Sequence, residues 1–185
     1  PGRGTCWPGS SPGCWRGAWA PCRRPRQPRI PRGDIVLRYR RISPGWHGQW
    51  ADPETYGNGE YIRTVDTPLG RVAFLLCGDL FAVPRSEVAR LSVDWLLLPY
   101  ARCSDDPDYC RGRWESEEQP HYVSRVAEMG VTTLMVNYLS DSSICRGMCG
   151  TCGGGAYGGA MVVSGGGNVL AAKPVGEPGL LVVDL

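Results

Sequence analysis

Cys77 closes an apolar run, residues 71–76 (RVAFLL), and is followed at once by Gly78 and Asp79. A thiol at the end of a buried strand can project from the end of the sheet, where α/β folds place their chemistry. Gly78 lets the backbone turn sharply, so that N–H groups of the turn could face a developing oxyanion. The reaction this would serve is attack by a thiolate on an electrophilic carbon, and it needs a base or a positive charge close by. A cysteine beside an apolar strand is more often a small buried hydrophobe, so the surrounding chain has to carry the case.

Two other groups of residues compete for a chemical role. Cys145, Cys149 and Cys152 spell C-x-x-x-C-x-x-C within CRGMCGTC, a spacing used for iron–sulfur ligation. Only 33 residues follow Cys152, too few for the barrel that accompanies such a motif in radical enzymes. A structural zinc site on the same thiolates, with Cys103 or Cys110 adding ligands, is the alternative reading of the chain as a binding module. The two histidines, His47 and His121, have no neighbouring pattern that singles them out, and both read as surface residues.

The elements that must position Cys77 follow from the apolar pattern. Residues 34–39 (DIVLRY), 60–66, 71–76, 94–99 (DWLLLP), 131–136, 159–163, 169–172 and 180–183 read as strands. Residues 84–92 and 115–130 read as helices. The second begins acidic, repeats Tyr122, Val126 and Met129 at helical spacing and stops at Gly130. Thr67-Pro68-Leu69-Gly70 is a turn ahead of the Cys77 strand, and Gly165-Gly166-Gly167-Asn168 is another near the end. Strands and helices alternate in the middle and strands dominate the end, which predicts a layered α/β domain.

Residues 1–33 differ from the rest. They hold seven Pro, seven Arg and no Asp or Glu, and read either as a basic disordered leader or as the out-of-frame translation of GC-rich DNA. An RNA-binding arm of interleaved Arg and Trp is a minor third reading. Residues 34–185 form the expected domain. They carry 13 basic and 18 acidic side chains, a mildly acidic balance that offers no basic surface for nucleic acid. No apolar run approaches the ~18 residues of a membrane helix. No apolar signal segment precedes residue 34, so the nine cysteines are read as reduced thiols of a cytoplasmic protein.

The ordered segments resemble the nitrilase, or carbon–nitrogen hydrolase, superfamily. DTPLG followed by RVAFLLCGDLF is similar to that family's turn and its strand ending in Cys-x-Asp. GDIVLRYRRIS (33–43), DWLLLP (94–99), SRVAEMGVTTLMVN (124–137) and GAMVVSGGGNVLAAKP (159–174) fall in the family's order. The resemblance covers about residues 33–185. It implies a four-layer α-β-β-α sandwich whose first β–α units are missing or replaced here. It also implies a Glu-Lys-Cys triad that hydrolyses an amide or nitrile through a thioester or thioimidate, with no cofactor, a small-molecule substrate and often a homo-oligomer.

On that pattern Cys77 takes the nucleophile position and Arg41 the lysine position; the chain's single lysine, Lys173, lies in the terminal hairpin. Arg41 keeps a positive charge but cannot release a proton near neutral pH. Glu54 corresponds to a supporting glutamate, and Tyr100 and Asn137 are expected to bind substrate beside the site. Asp79 is expected to brace the turn, and Glu128 to be structural. The family's first glutamate, the general base, has no counterpart in residues 1–33. The purified chain is therefore expected to turn over simple amides poorly; ammonia release from propionamide, compared between the native chain and Cys77→Ala, checks this, and robust Cys77-dependent turnover would refute it.

Overall fold

The computed structural model describes residues 34–44, 52, 54–55, 57–102, 112–140 and 155–184. The leader and Cys103, Cys110, Cys145, Cys149 and Cys152 lie outside the described residues, and so does His47.

Six strands form one mixed sheet in sequential order: β1 (Thr64–Thr67), β2 (Gly70–Phe74), β3 (Trp95–Tyr100), β4 (Thr133–Asn137), β5 (Ala160–Val163) and β6 (Val169–Lys173). The Thr-Pro-Leu-Gly turn joins β1 to β2 as an antiparallel hairpin, and β4, β5 and β6 are likewise antiparallel. β2, β3 and β4 are parallel, so each junction needs a crossover. The first crossover contains α1 (Asp79–Ala82) and α2 (Arg85–Leu91); the second contains a π-helical segment (Trp114–Glu118) running into α3 (Gln119–Met129). α3 ends where expected, with Gly130 in the left-handed region at φ 74° and its N–H on Val126 O.

The strand alternation decides which face meets the helices. Along β3, Leu96, Leu98 and Tyr100 are buried while Trp95, Leu97 and Pro99 are half-buried. The buried set packs with Leu75, Leu80, Val88, Tyr122, Val126 and Met129 in one core between sheet and helices. The other face is also apolar: Val72, Phe74, Leu76, Leu97 and Leu134 floor a groove of about 1330 Å³. Strands with two apolar faces are those that meet a layer on each side. The described residues supply the helix layer on one side only.

Three expected elements are adjusted. Residues 34–39 run without a place in the ladder, as do residues 180–183. Both stretches border the groove, with Ile35, Val36, Leu180 and Val182 exposed. Their apolar character reads as strand, but the sheet's five pairings are completed without them. The helix expected at 115–130 opens as a π-helix, a rare irregularity that recurs near functional sites.

An ion pair holds that irregular turn to the end of β3. Arg102 donates to both Glu118 oxygens at 2.8 and 2.5 Å, and the Tyr157 hydroxyl donates to the same carboxylate at 3.0 Å. Burial works to raise the Glu118 carboxyl, but the bonds and charge of Arg102 outweigh it and hold the carboxyl below its ordinary range. A lowered pKa gives stability that is present above the unfolded value and lost as pH falls through the folded one. Because Arg102 is 43% exposed, screening limits the contribution to about 1 kcal/mol. Urea unfolding should thus show stability falling as pH drops below about 4.3, with that acid-side loss reduced in Glu118→Gln.

Candidate functional site

Leu75 N–H donates to Leu97 O and Cys77 N–H to Pro99 O, each at 3.0 Å. These bonds carry the parallel pairing of β2 and β3 three residues past the end of β2. Cys77 then takes φ 50°, a left-handed conformation that costs a non-glycine residue about 1–2 kcal/mol. The strain ends the strand abruptly and starts α1 two residues later. Cys77 is half-buried and its thiol is free.

Asp79 pays for that turn. It is fully buried, and its carboxylate accepts four hydrogen bonds. Oδ2 takes the Leu76 N–H at 3.0 Å, across the Cys77 turn, and the Tyr39 hydroxyl at 2.8 Å. Oδ1 takes the N–H groups of Ser43 at 2.6 Å and Ile42 at 3.0 Å. One side chain therefore fastens the segment 39–43 to the turn. The phenol of Tyr39 is pushed well above its ordinary range, first by burial and then by the Asp79 bond, so it stays a neutral donor.

That fastening delivers Arg41. A Cβ built on Gly78 would collide with Arg41 Nη2 and stand 3.1 Å from Ser43 Oγ, so only glycine lets the guanidinium lie against the residue next to Cys77. Arg41 Nε donates to Ser43 Oγ at 2.6 Å, which pins the fork. Gly59 passes over the same segment, its N–H on Arg41 O at 2.7 Å, and a Cβ there would run into Arg40 O. The turn's own N–H groups are less available than the sequence suggests: Cys77 N–H is spent on Pro99 O and Asp79 N–H on Leu76 O. Arg41 is thus a charged donor lying against the thiol's turn.

Cys77 and Arg41 share a cavity of about 520 Å³ with Tyr39, Arg40, Thr55 and Tyr100, within the range of small-molecule sites. Glu54 is exposed; its N–H bonds Asp52 Oδ1, and its neighbour Thr55, not Glu54, is in the cavity wall. Tyr100 borders the cavity from β3, but its ring is stacked into a box with Trp114 and Tyr122, at 5.9 and 5.3 Å between centroids. Its buried hydroxyl has no hydrogen-bond partner among the described residues. Asn137 is buried outside the cavity lining, with its side-chain amide closed on the backbone of Arg102: Oδ1 accepts the N–H at 3.0 Å and Nδ2 donates to the carbonyl at 3.1 Å. His121 is exposed and stacks on Phe81, and Glu128 pairs with Arg125. Arg125 in turn donates to Leu80 O at 2.9 Å and Val83 O at 2.8 Å, anchoring α1 to α3. Among the described residues no group of His, Cys, Asp and Glu could hold a metal ion, and no helix is long and apolar enough to cross a membrane.

Sequence reading missed Tyr39, Arg40 and Thr55 as cavity residues. Tyr39 and Arg40 stand in the same run as Arg41, and that adjacency was the available signal. Thr55 had none.

No family profile and no curated protein sequence matches the chain. Solved structures do. A variant amidase from Nesterenkonia sp. AN1, with acrylamide added at its active-site cysteine, is 25% identical at TM-score 0.52, over 80% of this chain and 50% of that one. A carbon–nitrogen hydrolase from Helicobacter pylori G27 is 16% identical at TM-score 0.57, over 77% and 49%. A glutamine-dependent NAD+ synthetase from Acinetobacter baumannii is 12% identical at TM-score 0.59, over 78% and 25%. The chain spans about half the length of the first two and a quarter of the third.

Removing the Asp79 carboxylate strands four donors. Asp79→Ala is expected to cost about 3 kcal/mol or more in urea unfolding, and to leave the 39–43 segment free of the Cys77 turn, read as faster amide hydrogen exchange at Ile42 and Ser43.

Proposed function

Starting from a chain with the fold of the nitrilase, or carbon–nitrogen hydrolase, superfamily, we propose that it acts on a non-peptide amide or nitrile, with Cys77 as the nucleophile. The observation that carries this is the Arg41 guanidinium lying against Gly78, beside a cysteine in a strained turn that opens on a cavity. For an amide, Sγ attacks the carbonyl carbon and the C=O pair moves to oxygen. Arg41 faces that oxyanion; preorganised donors in such positions are worth about 10²–10³ in rate. The C–N bond then breaks, nitrogen leaves with a proton as the amine, and a thioester remains. Water attacks the thioester, the C–S bond breaks, and acid and thiol are released.

Activation of the thiol is the weak step. Arginine holds its proton through the neutral range, so it supplies charge and not base chemistry. Glu54, next to Thr55 of the cavity wall, is the carboxylate we propose for support, as the resemblance implies. Its exposure makes it a weaker base partner than a buried carboxylate would be.

Acrylamide tests the nucleophile separately from turnover. Sγ adds to the terminal carbon, the C=C π pair moves toward the amide oxygen, and solvent protonates the adjacent carbon. Peptide mass spectrometry should find the adduct at Cys77 ahead of the other eight cysteines, with the rate falling about 10–100-fold in Arg41→Ala. Labelling spread evenly over the cysteines, with Arg41→Ala without effect, would sink the proposal.

A further inference from the structure

We infer that the Cys77 cavity selects a substrate bearing a negative charge, a small amide with a carboxylate a few carbons from the scissile bond, and that Arg40 binds that carboxylate. The inference rests on the proposed hydrolase reading and names its substrate class.

The cavity's titratable lining is Tyr39, Arg40, Arg41, Cys77 and Tyr100; no Asp or Glu is among the lining residues. Both phenols are held neutral, Tyr39 by burial and Asp79, Tyr100 chiefly by burial. Asp79 is fully buried beneath the turn and faces Tyr39, Ile42, Ser43 and Leu76; at the wall, the exposed Asp52 accepts from the Thr55 hydroxyl at 2.8 Å, and Glu54 is exposed beside it. Arg102, next to lining residue Ala101, is closed on Glu118. Among the described residues no carboxylate pairs with Arg40 or Arg41, so two arginines border one cavity with no counter-ion among those residues.

The two arginines are not equivalent. Side chains alternate along extended backbone, and here Arg41 is half-buried while Arg40 is exposed. Arg41 reaches the base of the cavity, against Gly78 and Ser43. Arg40 Nη1 lies near lining residue Gly57, 3.7 Å from where a Cβ would stand, toward the rim. A ligand whose reacting carbonyl lies at Cys77 therefore has its far end at Arg40. A planar fork of donors matches a carboxylate in two bonds, and a cavity of one sign with low-dielectric walls concentrates anions.

N-Iodoacetylglycine and its amide, N-iodoacetylglycinamide, which carry the differing group a few atoms from the reacting carbon, test this without any turnover. They differ by a carboxylate for an amide, and each alkylates a thiolate with loss of iodide. Rates at Cys77 are followed by peptide mass spectrometry, with free cysteine in the same solution as reference. The ratio of the iodoacetylglycine rate to the iodoacetylglycinamide rate at Cys77 is expected to exceed the free-cysteine ratio about tenfold. Arg40→Gln is expected to bring it back to the reference, Arg40→Lys to keep most of it, and Arg90→Gln, on the exposed side of α2, to leave it in place. A native ratio equal to free cysteine, or one that survives Arg40→Gln, overturns the inference while leaving Cys77 as nucleophile. Failure of Cys77 to react with either reagent faster than the other cysteines overturns both readings.

Discussion

A single buried carboxylate organises the site. Asp79 follows the strand that ends at Cys77, and its two oxygens divide their work. One bonds back across the turn to Leu76 and out to Tyr39; the other takes two successive N–H groups of the segment that carries Arg41. A buried carboxylate is tolerated only when fully hydrogen-bonded, and here satisfaction of that demand fixes the geometry. The left-handed Cys77, the contact at Gly78 and the course of residues 39–43 all rest on the same four bonds.

The helix layer serves the same turn from the other side. Arg125 on α3 takes the carbonyls of Leu80 and Val83, the last acceptors of a four-residue helix too short to be stable alone. The Arg102–Glu118 pair and the aromatic box of Tyr100, Trp114, Tyr122 and Tyr157 hold the π-helical entrance to α3 against the end of β3. The Tyr122 phenol, buried in that box near Cys77 and Glu118, is pushed up to about 12, mainly by burial. The side chains around the thiol are thus neutral phenols and guanidinium, a setting that favours an anion once one forms.

Much of this was legible in the sequence. The apolar run into Cys-Gly-Asp, the turn before it, the Gly-terminated helix and the hairpin after β4 are local patterns, and the structure places them close to the expected residues. Residues 34–39 and 180–183 were read as strands from the same kind of pattern. Periodicity reports that a side chain wants burial and not whether a neighbouring strand offers a ladder, and here none of the six does.

The sequence by itself determined the order of elements and the identity of Cys77 as the residue at the strand end, because both depend on contacts within a few positions. It also determined that residue 41 is an arginine and that the chain's single lysine is Lys173, which is a matter of residue type. Only the tertiary structure decided that Arg41 lies against Gly78, that Asp79 joins segments 36 to 40 residues apart, and that Asn137 closes on Arg102 outside the cavity lining. A carboxylate or amide can take any donor brought within about 3 Å. Which donors arrive is set by how the sheet and its crossovers pack, and no local pattern records that.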